Sequence, residues 1–266
     1  IADVQKEEET TRLQDPENSI RFVHVRFGYT PDCDIIRDMS FLIRPGEKIA
    51  LVGLNGAGKT TLVKLLCGLY RPREGRIFLG GRDIQSFEKQ ELFGRIAAVF
   101  QDIYLLPGTV EKNVTLTANP DRKRFWEVVK LAGLEEKIAT LPQREQTRLV
   151  KEVWEDAVAL SGGQMQKLAL ARALYKGGDL LILDPLAENE LYQKYGALTK
   201  GKTSVFVSHR LSSTRFCDRI FYMEKGRILE EGNHEQLMEK GGAYAALFAA
   251  QSRYYRQEAK EGEAAL

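Results

Sequence analysis

From about residue 19 the chain alternates short apolar runs with longer amphipathic stretches. Val23, Val25 and Phe27 alternate with polar or smaller residues, the period of two that suits a half-buried strand. Apolar runs at residues 49–52, 76–79, 96–100, 180–183, 204–207 and 219–223 predict further strands. Gly75, Gly80-Gly81 and Gly226 punctuate them as turns. Residues 61–69, 122–131 and 163–174 carry helical period and propensity. Strands alternating with helices predict an α/β fold with a largely parallel sheet. Residues 102–163 hold few strand signals and read as a mostly helical insertion in the α/β core. Residues 1–18, polar with Lys6-Glu7-Glu8-Glu9 at their centre, read as a linker or an exposed helical extension, and residues 251–266 as a polar tail.

Composition excludes some classes. Of 266 residues, 43% are hydrophobic and 29% charged, which is ordinary for a globular protein and excludes collagen-like or wholly disordered chains. Lys+Arg of 39 against Asp+Glu of 37 leaves a net charge of +2, too balanced for a broad basic face, so no nucleic-acid partner is expected. Cys33, Cys67 and Cys217 are widely spaced and form no CxxC, so neither a disulfide framework nor a zinc site is expected and a reducing cytosol is the default. His24, His209 and His234 leave little for a multi-histidine metal centre. No run of about 18 apolar residues is present to cross a membrane, and no signal-peptide pattern opens the chain.

The strongest local signal is Gly53-Leu54-Asn55-Gly56-Ala57-Gly58-Lys59-Thr60, which fits GxxxxGK[ST] between a predicted strand and a predicted helix. Glycines let the backbone wrap closely round phosphates at positive φ. The following helix start, with Thr61, turns N–H groups and partial positive charge toward them. Lys59 would reach the β- and γ-phosphates and the Thr60 hydroxyl would take Mg²⁺. The plain alternative is a glycine-rich turn with an exposed lysine. Leu160-Ser161-Gly162-Gly163-Gln164 adds a hydroxyl and two glycine N–H groups at a helix start, a second anion site or a simple N-cap.

With LSGGQ behind the phosphate loop, the chain resembles the ATP-binding cassette family over about residues 19–250. Other motifs of that family occur in order. Tyr29 is placed like the aromatic that stacks on adenine, and Gln101 like the Q-loop glutamine that touches Mg²⁺ and senses the membrane partner. Leu180-Leu181-Ile182-Leu183-Asp184 is similar to the Walker B strand, with Asp184 for Mg²⁺, and His209 to the switch histidine at the γ-phosphate. The resemblance implies a P-loop NTPase core, RecA-like, with an antiparallel β subdomain and a helical insertion carrying the signature. It implies ATP and Mg²⁺ as cofactors and a head-to-tail dimer with a second nucleotide-binding domain. In that dimer, Asn55, Gly56, Ala57, Gly58, Lys59, Thr60 and Thr61 hold one ATP, while Ser161, Gly162, Gly163 and Gln164 serve the opposite subunit's. It also implies a transmembrane permease partner at the cytoplasmic face of the membrane.

One departure stands out. The family follows its Walker B aspartate with a catalytic glutamate, then a loop ending in a second aspartate. Here Pro185-Leu186-Ala187-Glu188 follows Asp184 directly. Asp184 therefore fits two places, the strand end and the cap of a following helix. Glu188 would be a poor substitute, a turn into that helix. A true deletion implies ATP binding with impaired hydrolysis and dimer closure. A segment missing from the written sequence implies an ordinary ATPase. Before the signature, Trp154 in Lys151-Glu152-Val153-Trp154-Glu155-Asp156 replaces a small residue of the exporter pattern, or is a helix-packing tryptophan. Pro107-Gly108-Thr109-Val110-Glu111-Lys112-Asn113-Val114 and the closing Gly232-Asn233-His234-Glu235-Gln236-Leu237 resemble the exporter branch. An importer subunit and a non-hydrolysing regulator are the alternatives.

Overall fold

The computed structural model describes residues 15–184, 199, 201–208 and 210–264, without the side chains of 212, 213 and 254–264. Two compact units emerge, Ile1–Leu92 with Thr199–Leu266, and Phe93–Leu198. Along the chain run β1 (Ile20–Phe27), β2 (Ile36–Ile43), β3 (Lys48–Val52), α1 (Lys59–Leu66), β4 (Glu74–Leu79), β5 (Arg82–Asp83) and α2 (Lys89–Arg95). Then come β6 (Ile96–Val99), β7 (Gly108–Thr109), α3 (Val110–Thr115), α4 (Arg122–Leu131), α5 (Glu135–Ala139), β8 (Arg148–Leu149), α6 (Gly162–Lys176) and β9 (Leu180–Leu183). The described chain closes with β10 (Thr203–Val207), β11 (Arg219–Glu224), β12 (Arg227–Gly232), α7 (His234–Lys240) and α8 (Ala243–Ala264).

In the first unit β3 lies between β10 and β11 and is parallel to both, while β12 folds back antiparallel on β11. Ile49, Ala50, Leu51 and Val52 are all buried, as expected of a strand covered on both faces. A separate antiparallel sheet runs β2-β1-β4-β5. Phe41 stacks on Phe22 at 4.4 Å and meets Phe221 of β11 at 5.1 Å, so aromatic rings join the two sheets.

The alternation predicted for β1 changes phase midway. Phe22 and Val25 are both buried whereas Val23 is only half-buried, because the ladder to β2 slips between Phe22 and Val25. His24 takes φ +47° at the slip, and a Cβ on Gly75 would lie 2.3 Å from the carbonyl oxygens of Val23 and His24. The bulge therefore needs glycine opposite it.

The sequence pattern missed β2, β12 and the two-residue strands β5, β7 and β8. The outer strand β12 buries none of its residues deeply, so it offers no apolar alternation. Residues 15–18, assigned to the linker, are anchored: the Asp15 carboxylate accepts from Arg21, and the Asn18 carbonyl from the Thr203 hydroxyl at 3.2 Å. Residues 251–264, assigned to a tail, continue α8, and the Gln251 side chain accepts from the Leu211 N–H at 3.0 Å.

The second unit carries β6 and β9 paired in parallel, with α3, α4 and α5 between them in sequence. The signature helix α6 packs on α3, α4 and β6 through a face including Leu168, Ala169, Ala171 and Ala173. Lys176 ends that helix by donating to the Ile96 carbonyl of β6 at 2.8 Å. Trp154 lies in a turn segment rather than a helix, with the Arg148 guanidinium over its ring at 5.3 Å.

Candidate functional site

The phosphate loop leaves the carboxyl end of β3, where open α/β sheets place their ligands. Two of its glycines, Gly53 and Gly58, combine positive φ with close neighbours. Gly53 has φ +145°, and a Cβ there would lie 2.1 Å from the Met223 carbonyl oxygen of β11. Gly58, at φ +102°, is the N-cap of α1 and makes no side-chain capping bond. The start of α1 thus carries no side-chain cap, the kind of helix start at which anions bind. Helix α1 starts two residues earlier than its pattern predicted, at Lys59, and its face of Leu62, Val63, Leu65 and Leu66 is buried beneath. Lys59 is itself 5% exposed, and its ammonium donates to the carbonyls of Gly53 at 2.9 Å and Leu54 at 3.0 Å. The amine therefore closes the loop on itself. Asn55 and Gly56 are exposed at the tip, Ala57 is buried, and Thr60 is half-buried. The Gly226 N–H between β11 and β12 donates to the Ala57 carbonyl at 3.1 Å, which supports the loop from behind.

Tyr29 follows β1, half-exposed, with its hydroxyl 3.3 Å from Thr61 Oγ1 on α1. The structure thus brings the proposed base platform to the helix that carries the phosphate loop. Tyr70 was not singled out in the sequence. Its ring meets Tyr29 edge-on at 5.3 Å and Phe27 at the same separation.

In the second unit, Gln101 and Asp184 lie at the carboxyl ends of neighbouring parallel strands, since Val99 pairs with Leu183. The register brings them together: the Gln101 amide donates to Asp184 Oδ1 at 3.1 Å. The Asp184 N–H bonds the Val99 carbonyl at 2.8 Å, and the residue is fully buried. Of the two places that Asp184 fits in sequence, this is the strand-end one. The helix-cap alternative, Glu188 and His209 fall outside the described residues.

The signature opens α6. Ser161 caps it, accepting from the Gln164 N–H at 3.3 Å, while Gln164 Oε1 accepts from the Ser161 N–H at 3.0 Å. This capping box is the bland alternative to an anion site, and it holds an exposed Ser161 and an unobstructed Gly162 at the helix start. Behind it Arg172 reaches the segment after Gln101, donating to the Asn113 carbonyl at 2.7 Å and the Tyr104 carbonyl at 3.2 Å. Neither Asn113 nor Arg172 was singled out by pattern, because their meeting joins residues 59 positions apart. Among the described residues, no cluster of three His, Cys, Asp or Glu could hold a metal, and no helix is long and apolar enough to cross a membrane.

Comparison with known proteins agrees with this geometry. A family model for the ABC transporter matches residues 36–187. The ATP-dependent lipid A-core flippase of Saccharophagus degradans is 37% identical over 248 residues, which is 90% of this chain and 42% of the flippase. A mitochondrial iron-sulfur clusters transporter atm1 of Neurospora crassa is 38% identical over 256 residues, 90% of this chain and 35% of that protein. A solved bacterial Atm1-family ABC exporter with ATP bound superposes with a TM-score of 0.82 at 32% identity, over 90% of this chain and 43% of that one. The chain thus spans less than half the length of the relatives it matches. Similarity of this extent, on the stretch that carries both the phosphate loop and the signature, means that the chain belongs to the ABC transporter family.

Proposed function

We propose that this chain powers an exporter by binding ATP between two cassettes arranged head to tail. The observation that carries the reading is the phosphate loop, with a helix start that has no side-chain cap, glycine-dependent curvature and a buried lysine bonded to the carbonyls of the loop. In this reading Asn55, Gly56, Ala57, Gly58, Lys59, Thr60 and Thr61 hold the phosphates and Tyr29 carries the adenine. Ser161, Gly162, Gly163 and Gln164 complete the site of the opposite subunit, and His209 contacts the γ-phosphate. The Thr60 hydroxyl, the Gln101 amide oxygen and the Asp184 carboxylate are oxygen donors, the type that Mg²⁺ takes, and in this reading would hold it. Mg²⁺ held there would supply positive charge against the phosphates. A transmembrane permease domain is the partner, and the cytoplasmic face of the membrane is the site of action.

A second reading is favoured by one observation: Pro185, not glutamate, follows Asp184. A cassette lacking that base binds ATP without appreciable turnover, and would pair with a partner cassette that completes the active site.

Two measurements test these readings together. Calorimetric titration of Mg-ATP into the full-length transporter should show binding that Lys59→Met weakens at least tenfold, and unchanged affinity in the variant would refute the phosphate-loop assignment. A mass spectrum of the tryptic peptide ending at Lys194 then reads the Asp184–Pro185 junction. The written mass selects the non-hydrolysing cassette, and a heavier peptide with steady ATPase turnover selects the complete one.

A further inference from the structure

The loop that presents Tyr29 has no core of its own. Residues 29–33 are five consecutive exposed positions, although the loop closes tightly. Its ends are tied by the Ile35 N–H to the Phe27 carbonyl at 2.8 Å, and its turn by the Cys33 N–H to the Thr30 carbonyl at 3.2 Å. A Cβ on Gly28 would lie 1.8 Å from the Cys33 carbonyl oxygen, so the chain doubles back with no room for a side chain there. Apolar burial does not hold such a loop in one shape.

A single guanidinium does. Arg73 lies between α1 and β4, with its N–H bonded to the Arg26 carbonyl at 2.8 Å. Its Nη1 donates to the Pro31 carbonyl at 2.9 Å and to Asp34 Oδ1 at 3.1 Å. Its Nη2 donates to the Gly28 carbonyl at 3.1 Å and to the Thr30 carbonyl. The two carbonyls that flank Tyr29 in sequence are therefore both gripped by one nitrogen. The same α1–β4 connection carries Tyr70, which sets the Tyr29 ring edge-on at 5.3 Å. A planar fork can serve four acceptors spread over one loop, whereas a lysine ammonium is a point donor and cannot.

We infer that Arg73 is a positioning residue for Tyr29, and that it sets how well the cassette holds the base of its nucleotide while leaving the phosphates untouched. The inference rests on the reading that Tyr29 stacks on adenine. The hydrogen bonds of Arg73 go to residues of the 26–34 segment rather than to the phosphate loop, so its loss should be felt by the base alone.

The test compares Mg-ATP with Mg-tripolyphosphate, which has the phosphates and no base, by calorimetry on the full-length transporter. Stacking of a base on an aromatic side chain contributes ~1–3 kcal/mol, so about tenfold, or ~1.4 kcal/mol, is the expected loss. Tyr29→Ala and Arg73→Ala should each weaken ATP about tenfold and leave tripolyphosphate within about twofold. Arg73→Lys should fall between Arg73→Ala and the wild type. The double variant should be no weaker than Tyr29→Ala alone, since both act through one ring. If Tyr29→Ala preserves the preference for ATP over tripolyphosphate, the stacking reading itself falls. If Tyr29→Ala abolishes that preference and Arg73→Ala does not, only the role of Arg73 falls. Equal weakening of both ligands by Arg73→Ala would mark Arg73 as a general structural residue and overturn the inference.

Discussion

Arg172 on the signature helix and the buried Asn113 on α3 form a joint that can be broken and measured. Asn113 is fully buried; its amide donates to the Leu106 carbonyl at 2.8 Å and the Thr109 carbonyl at 3.1 Å, and its oxygen accepts from the Leu106 N–H at 2.8 Å. Arg172 Nε donates to the Asn113 carbonyl at 2.7 Å, and both of its terminal nitrogens reach the Tyr104 carbonyl at 3.2 Å. Burial pushes the guanidinium below its ordinary pKa, although it stays charged at neutral pH. Arg172→Met keeps the apolar stem and removes every donor. Water can replace the exposed bonds to Tyr104, but the part-buried Asn113 carbonyl is left short of a partner. Hydrogen bonds to charged groups contribute ~1.5–3 kcal/mol, so one such loss plus a small remainder predicts about 2–3 kcal/mol. Arg172→Lys recovers at most one acceptor and should lose somewhat less. Trp126 and Trp154 are the only tryptophans and both lie in the second unit, so urea unfolding followed by tryptophan fluorescence reports on this joint. A loss below ~0.5 kcal/mol for Arg172→Met, the range of an ordinary surface substitution, would refute the joint.

Other outcomes follow from the same structure. Gly226→Ala should destabilise by more than ~2 kcal/mol, because Gly226 has φ +79° and its Cβ would lie 2.1 Å from the Ile35 carbonyl oxygen; an unchanged melting curve would contradict this. Ser161→Ala should cost the α6 cap ~1 kcal/mol and Ser161→Gly less, read by thermal unfolding, and equal costs would argue against capping as the cause. His234 is buried with Nδ1 2.9 Å from the Tyr244 hydroxyl, and burial holds its pKa below the ordinary value. The unfolded chain therefore takes up the proton first. Stability from this group should be complete above about pH 6.5 and decline as pH falls toward the folded-state pKa. His234→Gln should lack that step, and a wild-type profile with no decline there would sink the assignment. Cys33 is exposed, whereas Cys67 and Cys217 are buried and burial raises the Cys217 thiol, so alkylation of the native protein should label Cys33 well ahead of both.

Much of the site is local chemistry and was legible in sequence. The phosphate loop, the Walker B strand and the LSGGQ helix start each need a fixed residue order over a few positions, since glycine φ angles, a helix N-terminus and a cap depend on immediate neighbours. The matched boundaries of α4 and β9 have the same origin in strong local periodicity. What sequence did not yield depends on contacts made across the chain. The phase change in β1 needs Gly75 on the neighbouring strand, and β12 has little apolar pattern because it lies at a sheet edge. The meeting of Gln101 with Asp184 follows from the β6–β9 register, which joins residues 83 apart. Arg73 over the Tyr29 loop and Arg172 over Asn113 lie 45 and 59 positions from their partners, beyond the reach of any local period. Sequence alone determined the family, the ligand class and the order of the motifs. Tertiary structure decided which side chains hold those motifs in place, because a hydrogen bond between distant segments exists only once both strands or helices have been brought into register.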